Sequence, residues 1–97
     1  MATYIALATF TDQGIRSVKD TTRRAAAARE LAPKFGVKVR DVFWVQGAYD
    51  VVIVCDADSD TGISAFGLAV ASAGNVRFQT LRAFGSDEME AILQKLA

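Results

Sequence analysis

The sequence contains no histidine, and this absence excludes more chemistry than any other feature of its composition. A haem bound by a proximal histidine, a histidine-dependent zinc site, and Ser-His-Asp or Cys-His catalysis all need that side chain. The single cysteine, Cys55, has no partner for an internal disulfide and lies in an apolar run without an adjacent base. We therefore expect no metal site and no cofactor, and we assign Cys55 to core packing.

An excess of one charge, a long hydrophobic run and a glycine-rich phosphate loop are also missing. Eleven basic residues balance eleven acidic ones, so the chain lacks the positive field that drives binding to nucleic acid. Asp50 and Asp56 interrupt the longest apolar stretch, which falls short of the roughly 20 residues that cross a bilayer. The N-terminus does not resemble a signal peptide. These absences predict a soluble, cytoplasmic protein without nucleic acid or membrane as a partner.

The chain is rich in apolar residues for its size. With 97 residues it has room for one domain, which we place over residues 1–97. A chain of this length buries only about 60 to 65% of its unfolded surface on folding. Because 52% of the residues are hydrophobic, we expect part of the apolar surface to face a partner.

Hydrophobic periodicity predicts four strands and three helices. The strands are expected at residues 3–10, 37–46, 49–55 and 76–84. The first helix is expected to be capped by Thr11 and Asp12 and to have its strongest portion at 15–35. The second follows Asp56, Asp58, Ser59 and Asp60, and the third begins at residue 86. Gly47 and Ala48 separate the second and third strands, a spacing that suits a tight hairpin. The order predicts a ferredoxin-like α+β fold, βαββαβ with a C-terminal helix, whose four-stranded antiparallel sheet has the order 4-1-3-2.

The two central strands are apolar on both faces. A sheet covered by helices on one side usually alternates apolar and polar residues, but the first strand places Ile5 and Leu7 opposite its core positions, and the third places Val52 and Val54 there. We therefore predict that the second face forms the interface of a homo-oligomer, a dimer or an assembly of dimers. The alternative is that the C-terminal helix covers this face within one chain.

Four short segments carry a resemblance to a known family. They are Thr11-Asp12-Gln13-Gly14, Gly47-Ala48-Tyr49-Asp50, Gly74-Asn75-Val76-Arg77 and Arg82-Ala83-Phe84. In this order and spacing they resemble the GYD family, a small bacterial family named for its Gly-x-Tyr-Asp motif. The resemblance covers nearly the whole chain and implies a subunit of the dimeric α+β barrel kind. It brings no established function, because the motif is not a known catalytic signature.

The candidate site residues follow from side-chain chemistry near the element boundaries. Tyr49, Asp50, Arg77 and Arg82 are the candidate acid and base groups, and we expect them to converge near one end of the sheet. An ordinary structural ion pair is the alternative for this group. Gly47 is expected to supply a positive φ in the hairpin.

A second candidate site is apolar. Three aromatic rings are candidates for it: Trp44 and Phe43 on the second strand, and Tyr49 across the hairpin. These rings can line a pocket at a subunit interface. Packing within the interface explains the same residues. A small apolar or amphipathic molecule is the ligand that such a pocket predicts.

Three functions remain open at this point. The first is a non-enzymatic module that assembles through the sheet face or binds a small ligand. The second is a ligand-sensing regulatory domain, which would act through a partner because the chain has no pair of DNA-binding helices. The third is a small cofactor-independent enzyme of the oxygenase kind, for which similarity of fold is the only support.

Overall fold

The computed structural model describes residues 1–96 as an antiparallel sheet with helices on one side. The strands are β1 (Ala2–Phe10), β2 (Val37–Trp44), β3 (Val51–Ala57) and β4 (Val76–Ala83). The α-helices are α1 (Asp12–Arg16), α2 (Thr21–Leu31), α3 (Asp60–Ala71) and α4 (Ser86–Gln94), and 3-10 turns occupy Val18–Asp20 and Ala32–Phe35. The sheet order is β2-β3-β1-β4, which confirms the predicted α+β class and the predicted order read in the opposite direction.

The first helical region is broken, whereas the sequence predicted one helix over residues 15–35. The break falls at Ser17, whose hydroxyl donates a hydrogen bond to the carbonyl oxygen of Gln13 at 3.0 Å. Arg24 then donates to the carbonyl oxygens of Ser17 and Gly14 at 2.9 and 3.2 Å. These carbonyls are satisfied without a continuous helix, so α1 ends at Arg16 and α2 begins at Thr21. At the far end, α2 stops before Pro33 and Gly36, as predicted.

The second strand contains a bulge, which explains why Asp41 and Val42 depart from a strict alternation of apolar and polar residues. Its pairing with β3 shifts between Val39 and Asp41, so one extra residue is inserted there. The bulge moves Val42 to the face that carries the core, and the next residue, Phe43, to the opposite face. As predicted, β2 is an edge strand of the sheet.

The connection between β2 and β3 is longer than the tight hairpin that the sequence predicted. It spans residues 45–50, and β3 begins at Val51 instead of Tyr49. The amide of Val45 still donates to the carbonyl oxygen of Asp50 at 2.9 Å, so the ladder continues for one step beyond β2. Gly47 has a φ of 121°, the positive value that was expected of it.

The hydrophobic core lies between the sheet and α3 with the adjoining 3-10 turn. Every second residue of the strands points into it, and the buried members include Tyr4, Val39, Cys55, Ile63 and Phe66. The ring of Phe66 packs against that of Phe35 with centroids 6.1 Å apart. This arrangement buries one face of the sheet, which we call the helix face.

The last helix does not cover the other face of the sheet. Met89 and Leu93 of α4 are each 44% exposed, and Leu81 and Phe43 on the sheet are 41% and 56% exposed. The alternative in which the C-terminal helix closes this face within one chain is therefore wrong. Within residues 1–96, no helix is both long and apolar enough to cross a membrane.

Candidate functional site

The sheet surface opposite the helices is the most distinctive feature of the molecule, and we call it the open face. Strand alternation and the observed register place six apolar side chains there: Ile5, Leu7, Phe43, Val52, Val54 and Leu81. Leu7 pairs with Val52, and Ile5 pairs with both Val54 and Leu81, so these side chains form one contiguous patch. None of the six belongs to the core cluster under the helices.

Polar side chains border this patch. Arg77 and Gln79 lie on the same face of β4 as Leu81. At the opposite end of the sheet, Asp56 pairs with Thr3. Asp56 accepts a hydrogen bond from the Thr3 hydroxyl at 3.1 Å and forms an ion pair with Arg40 at 3.0 Å. An apolar centre with a polar rim is the usual anatomy of a protein–protein interface.

Tyr49 extends from the β2–β3 connection across the sheet. Its hydroxyl donates a hydrogen bond to Oε1 of Gln79 on β4 at 2.6 Å. Since Gln79 pairs with Leu7 and points to the open face, the tyrosine ring lies over this end of the open face. Tyr49 is therefore half-buried within one chain and contributes an aromatic wall to the patch.

Asp50 anchors the same connection to β1. Its amide donates to the carbonyl oxygen of Ala8, and its carboxylate accepts from the amide of Phe10, each at 2.8 Å. These bonds extend the β1–β3 pairing and fix the base of the loop that carries Tyr49. The Asp50 carboxylate therefore acts as a hydrogen-bond acceptor immediately before β3.

Two other family segments meet at this end of the sheet. The amide of Thr11 donates to the carbonyl oxygen of Asn75 at 3.0 Å, and Gln13 donates to Ala73 and Asn75, also at 3.0 Å. A Cβ at Gly14 would overlap the Asn75 carbonyl oxygen, so only glycine permits this approach. The segments at residues 11–14 and 74–77 therefore form a clasp that joins α1 to the start of β4.

Arg82 lies at the other end of the sheet, away from the expected group. It pairs with Tyr4, whereas Arg77 pairs with Thr9, five residues along β1. At about 3.4 Å per residue this separates the two arginines by roughly 17 Å. The structure brings Tyr49, Asp50 and Arg77 to one end of the sheet, and the expectation that Arg82 converges with them is wrong.

Arg82 has its own set of contacts. It forms an ion pair with Glu88 at 3.0 Å, and its guanidinium carbon lies 4.4 Å from the centre of the Phe84 ring. The hydrogen bond from Arg82 lowers the pKa of Glu88 below its ordinary value. These contacts link β4 to the first turn of α4.

The predicted aromatic pocket is divided between the two faces. Nε1 of Trp44 donates to the hydroxyl of Thr21 at the start of α2 at 3.0 Å, so the indole lies on the helix face. Phe43 and Tyr49 lie on the open face. The three rings therefore do not form one pocket, because neighbouring residues of a strand point to opposite sides. Ligand binding by Tyr49, Asp50, Trp44, Arg77 and Arg82 stays a prediction.

The helix face carries two side chains with raised pKa values. Burial raises the pKa of the Cys55 thiol to about 11, which keeps it protonated and poorly nucleophilic. A hydrogen bond to Asp60 raises the pKa of the Tyr4 hydroxyl, with burial as the second cause. Both effects stabilise neutral side chains in the core and fit a packing role for these residues.

Comparison with known proteins agrees with the four matching segments. Residues 4–93 match the family model described as the GYD domain. The chain belongs to the GYD domain family. The chain is also similar to a protein of Thermus thermophilus named "glutamine synthetase and cystathionine beta-lyase binding protein". It is 36% identical to this chain over 95 residues, which cover 97% of this chain and 100% of the Thermus protein.

The GYD segments divide into two groups once the structure is known. Those at residues 11–14, 47–50 and 74–77 meet where β1 ends, and the segment at 82–84 supports α4. Sequence reasoning missed the clasp between the first and third segments, although Gly14 and Asn75 were singled out separately. A sheet register would have been needed to bring them together.

Proposed function

We propose that this GYD domain is a non-catalytic binding subunit, which forms homo-oligomers through its open face and acts by binding a metabolic enzyme. The observation that carries the proposal is the apolar patch of six side chains on the open face, which α4 does not cover and in which two large side chains are exposed within residues 1–96. Phe43 and Leu81 are 56% and 41% exposed there. Large apolar side chains gain about 1.5 to 3 kcal/mol each on full burial, so a second copy would be stabilised on this surface.

The geometry suits a symmetric pair. In a two-fold dimer each open face meets the same face of its partner, so a self-complementary patch is required. A sheet with an apolar centre and both charge signs on its rim meets this requirement, with Arg77 and Asp56 near opposite ends. We infer a ferredoxin-like subunit of the dimeric α+β barrel type, with two sheets packed about 10 Å apart.

The proposed enzyme partner comes from the Thermus relative. Similarity over nearly the whole length of both chains supports a shared mode of binding. We propose that this protein binds the glutamine synthetase of its own organism, with cystathionine β-lyase as the second partner to test. The chain would then modulate an enzyme without supplying catalytic groups.

The test combines assembly and partner binding. Val52→Asp places a charge at the centre of the open face, where a two-fold axis would bring it near its own copy. Leu68→Asp is the matched control, because Leu68 is 72% exposed on α3, away from the open face. Circular dichroism first establishes that both variants are folded.

The expected result is that wild type and Leu68→Asp elute as oligomers and Val52→Asp as a monomer in size exclusion with light scattering. Wild type should also co-elute with the organism's glutamine synthetase. Oligomers of equal size for all three proteins would contradict assembly through the open face. Failure to co-elute with either enzyme would contradict the partner proposal and leave the assembly result standing.

A further inference from the structure

A cleft lies on the helix face, between the sheet and helices α2 and α3. Its volume is about 280 Å³. The walls are mainly apolar, and they include Trp44 and Ile53 from the sheet, Phe78 from β4 and Val70 from α3. A mainly apolar concavity with a few polar groups is the usual form of a small-molecule site.

Small residues create this space. Ala6 and Ala8 of β1 form its floor, Ala25 and Ala28 of α2 form one wall, and Gly67 of α3 lies opposite. A Cβ built at Gly67 meets nothing within 4 Å. Because alanine and glycine carry so little side chain, the helices and the sheet leave space between them that larger residues would fill.

The charges around the cleft have one sign. Among the described residues that line it, the charged ones are Arg24 and Arg29, and no acidic residue joins them. Arg24 donates hydrogen bonds to Ser17 and Gly14, so its guanidinium is engaged in holding α1. Arg29 forms no ion pair or side-chain hydrogen bond within residues 1–96, and it is exposed at the rim.

We propose that this cleft binds a small amphipathic acid, with its hydrocarbon body against Trp44, Ile53 and Phe78 and its carboxylate at Arg29. Thr21, which contacts Trp44, and Arg29 stand eight residues apart on α2, or about 12 Å at 1.5 Å per residue. A medium-length alkyl chain spans that distance. The planar guanidinium of Arg29 provides the paired donors that a carboxylate accepts.

The cleft is independent of the proposed oligomer interface. The two lie on opposite faces of the sheet, so a variant of one leaves the side chains of the other unchanged. Loss of ligand binding with an intact oligomer would concern only the cleft. Loss of the oligomer with intact ligand binding would concern only the open face.

Trp44 makes the test direct, because it is the single tryptophan of the chain and lines the cleft. Its fluorescence is followed while decanoate, and separately decanol, is added below the concentration at which either aggregates. Ala25→Leu fills the cleft, and Ala26→Leu is its matched control, since Ala26 is exposed on the same helix outside the cleft. Arg29→Gln removes the cation, with Arg23→Gln as the control.

The expected result is a saturable change in Trp44 emission with decanoate. Decanoate binding should weaken at least tenfold in Ala25→Leu and in Arg29→Gln, and it should stay unchanged in both controls. Decanol binding should be the same in Arg29→Gln as in the wild-type protein. If Ala25→Leu does not fold, Gly67→Leu fills the same space from α3. A non-saturable response, equal binding by cleft-filled and control variants, or decanol binding as tightly as decanoate would overturn the proposal.

Discussion

Both faces of the sheet carry large apolar side chains, but these side chains differ in how far the rest of the chain buries them. On the helix face, Tyr4, Cys55 and Phe66 are at most 5% exposed and form the core. On the open face, Phe43 and Leu81 remain 56% and 41% exposed. The difference shows that apolar content alone does not identify a core, because burial also requires an element that packs on that face. On the open face of residues 1–96 no helix takes that place, which is why we propose that a second copy covers it.

The largest predicted effect is a difference in monomer stability between variants of the helix face and variants of the open face. Phe66→Ala removes a core ring and is expected to lower the free energy of unfolding by about 3–5 kcal/mol. Phe43→Ala removes a ring of similar size from the open face and is expected to weaken assembly while changing the stability of the monomer little. Urea denaturation at low protein concentration measures both. Equal losses of monomer stability would contradict the assignment of the two faces.

The second prediction concerns pH and the helix face. The pKa of Cys55 is raised from about 9 to about 11, so the unfolded thiol loses its proton at lower pH than the folded one. The stabilising contribution is present below pH 9 and is lost as the pH rises to 11. The expected loss is about 2–3 kcal/mol relative to Cys55→Ala, at 1.36 kcal/mol per pKa unit. Parallel urea titrations of both proteins from pH 8 to 11 check it, and identical pH profiles would contradict burial of the thiol.

The third prediction concerns the clasp at the end of β1. Gly14→Ala forces a Cβ against the Asn75 carbonyl oxygen and should cost about 1–3 kcal/mol, because backbone must move to admit it. Gly67→Ala is the control, since its Cβ enters open space within α3, and alanine should stabilise the helix by about 1 kcal/mol. Thermal unfolding of the two variants should shift in opposite directions. A Gly14→Ala variant with unchanged thermal stability would contradict the close approach of Gly14 to the Asn75 carbonyl oxygen.

The smallest effect is expected for Tyr49 on the open face. Tyr49→Phe removes the hydrogen bond to Gln79 and keeps the ring, so the expected loss is about 0.5–1.5 kcal/mol. Assembly should persist, because the apolar surface is retained. Denaturant titration and light scattering measure the two quantities. A dissociated Tyr49→Phe variant would show that the hydroxyl, and not the ring, contributes to the interface.

Much of the fold could be predicted from alternation and turn residues. The pattern of β1 and β3 indicated strands with two apolar faces, and the sheet order followed from the element order. The break at Ser17 could not be predicted, because the hydrogen bonds at this position come from Arg24, seven residues further along the chain, and no sequence pattern indicates that pairing. The bulge in β2 left a trace in the sequence, namely the failure of Asp41 and Val42 to alternate, whose cause became visible only in the register.

Less of the candidate site could be predicted. Trp44 and Phe43 are adjacent in a strand, so strict alternation already indicated opposite faces, and that signal was available. Arg77 and Arg82 were grouped by chemistry, although the length of β4 separates them. The cleft left no readable signal, because alanines such as Ala25 and Ala28 equally indicate close packing of a helix on a sheet.

The central claim is that the open face is covered by another copy of the chain. Native mass spectrometry of the purified wild-type protein at micromolar concentration, compared with its denatured mass, tests it most directly. We expect a multimer of the 10.4 kDa subunit that dissociates when Val52 is replaced by Asp. A single subunit mass for the wild-type protein under these conditions would contradict it.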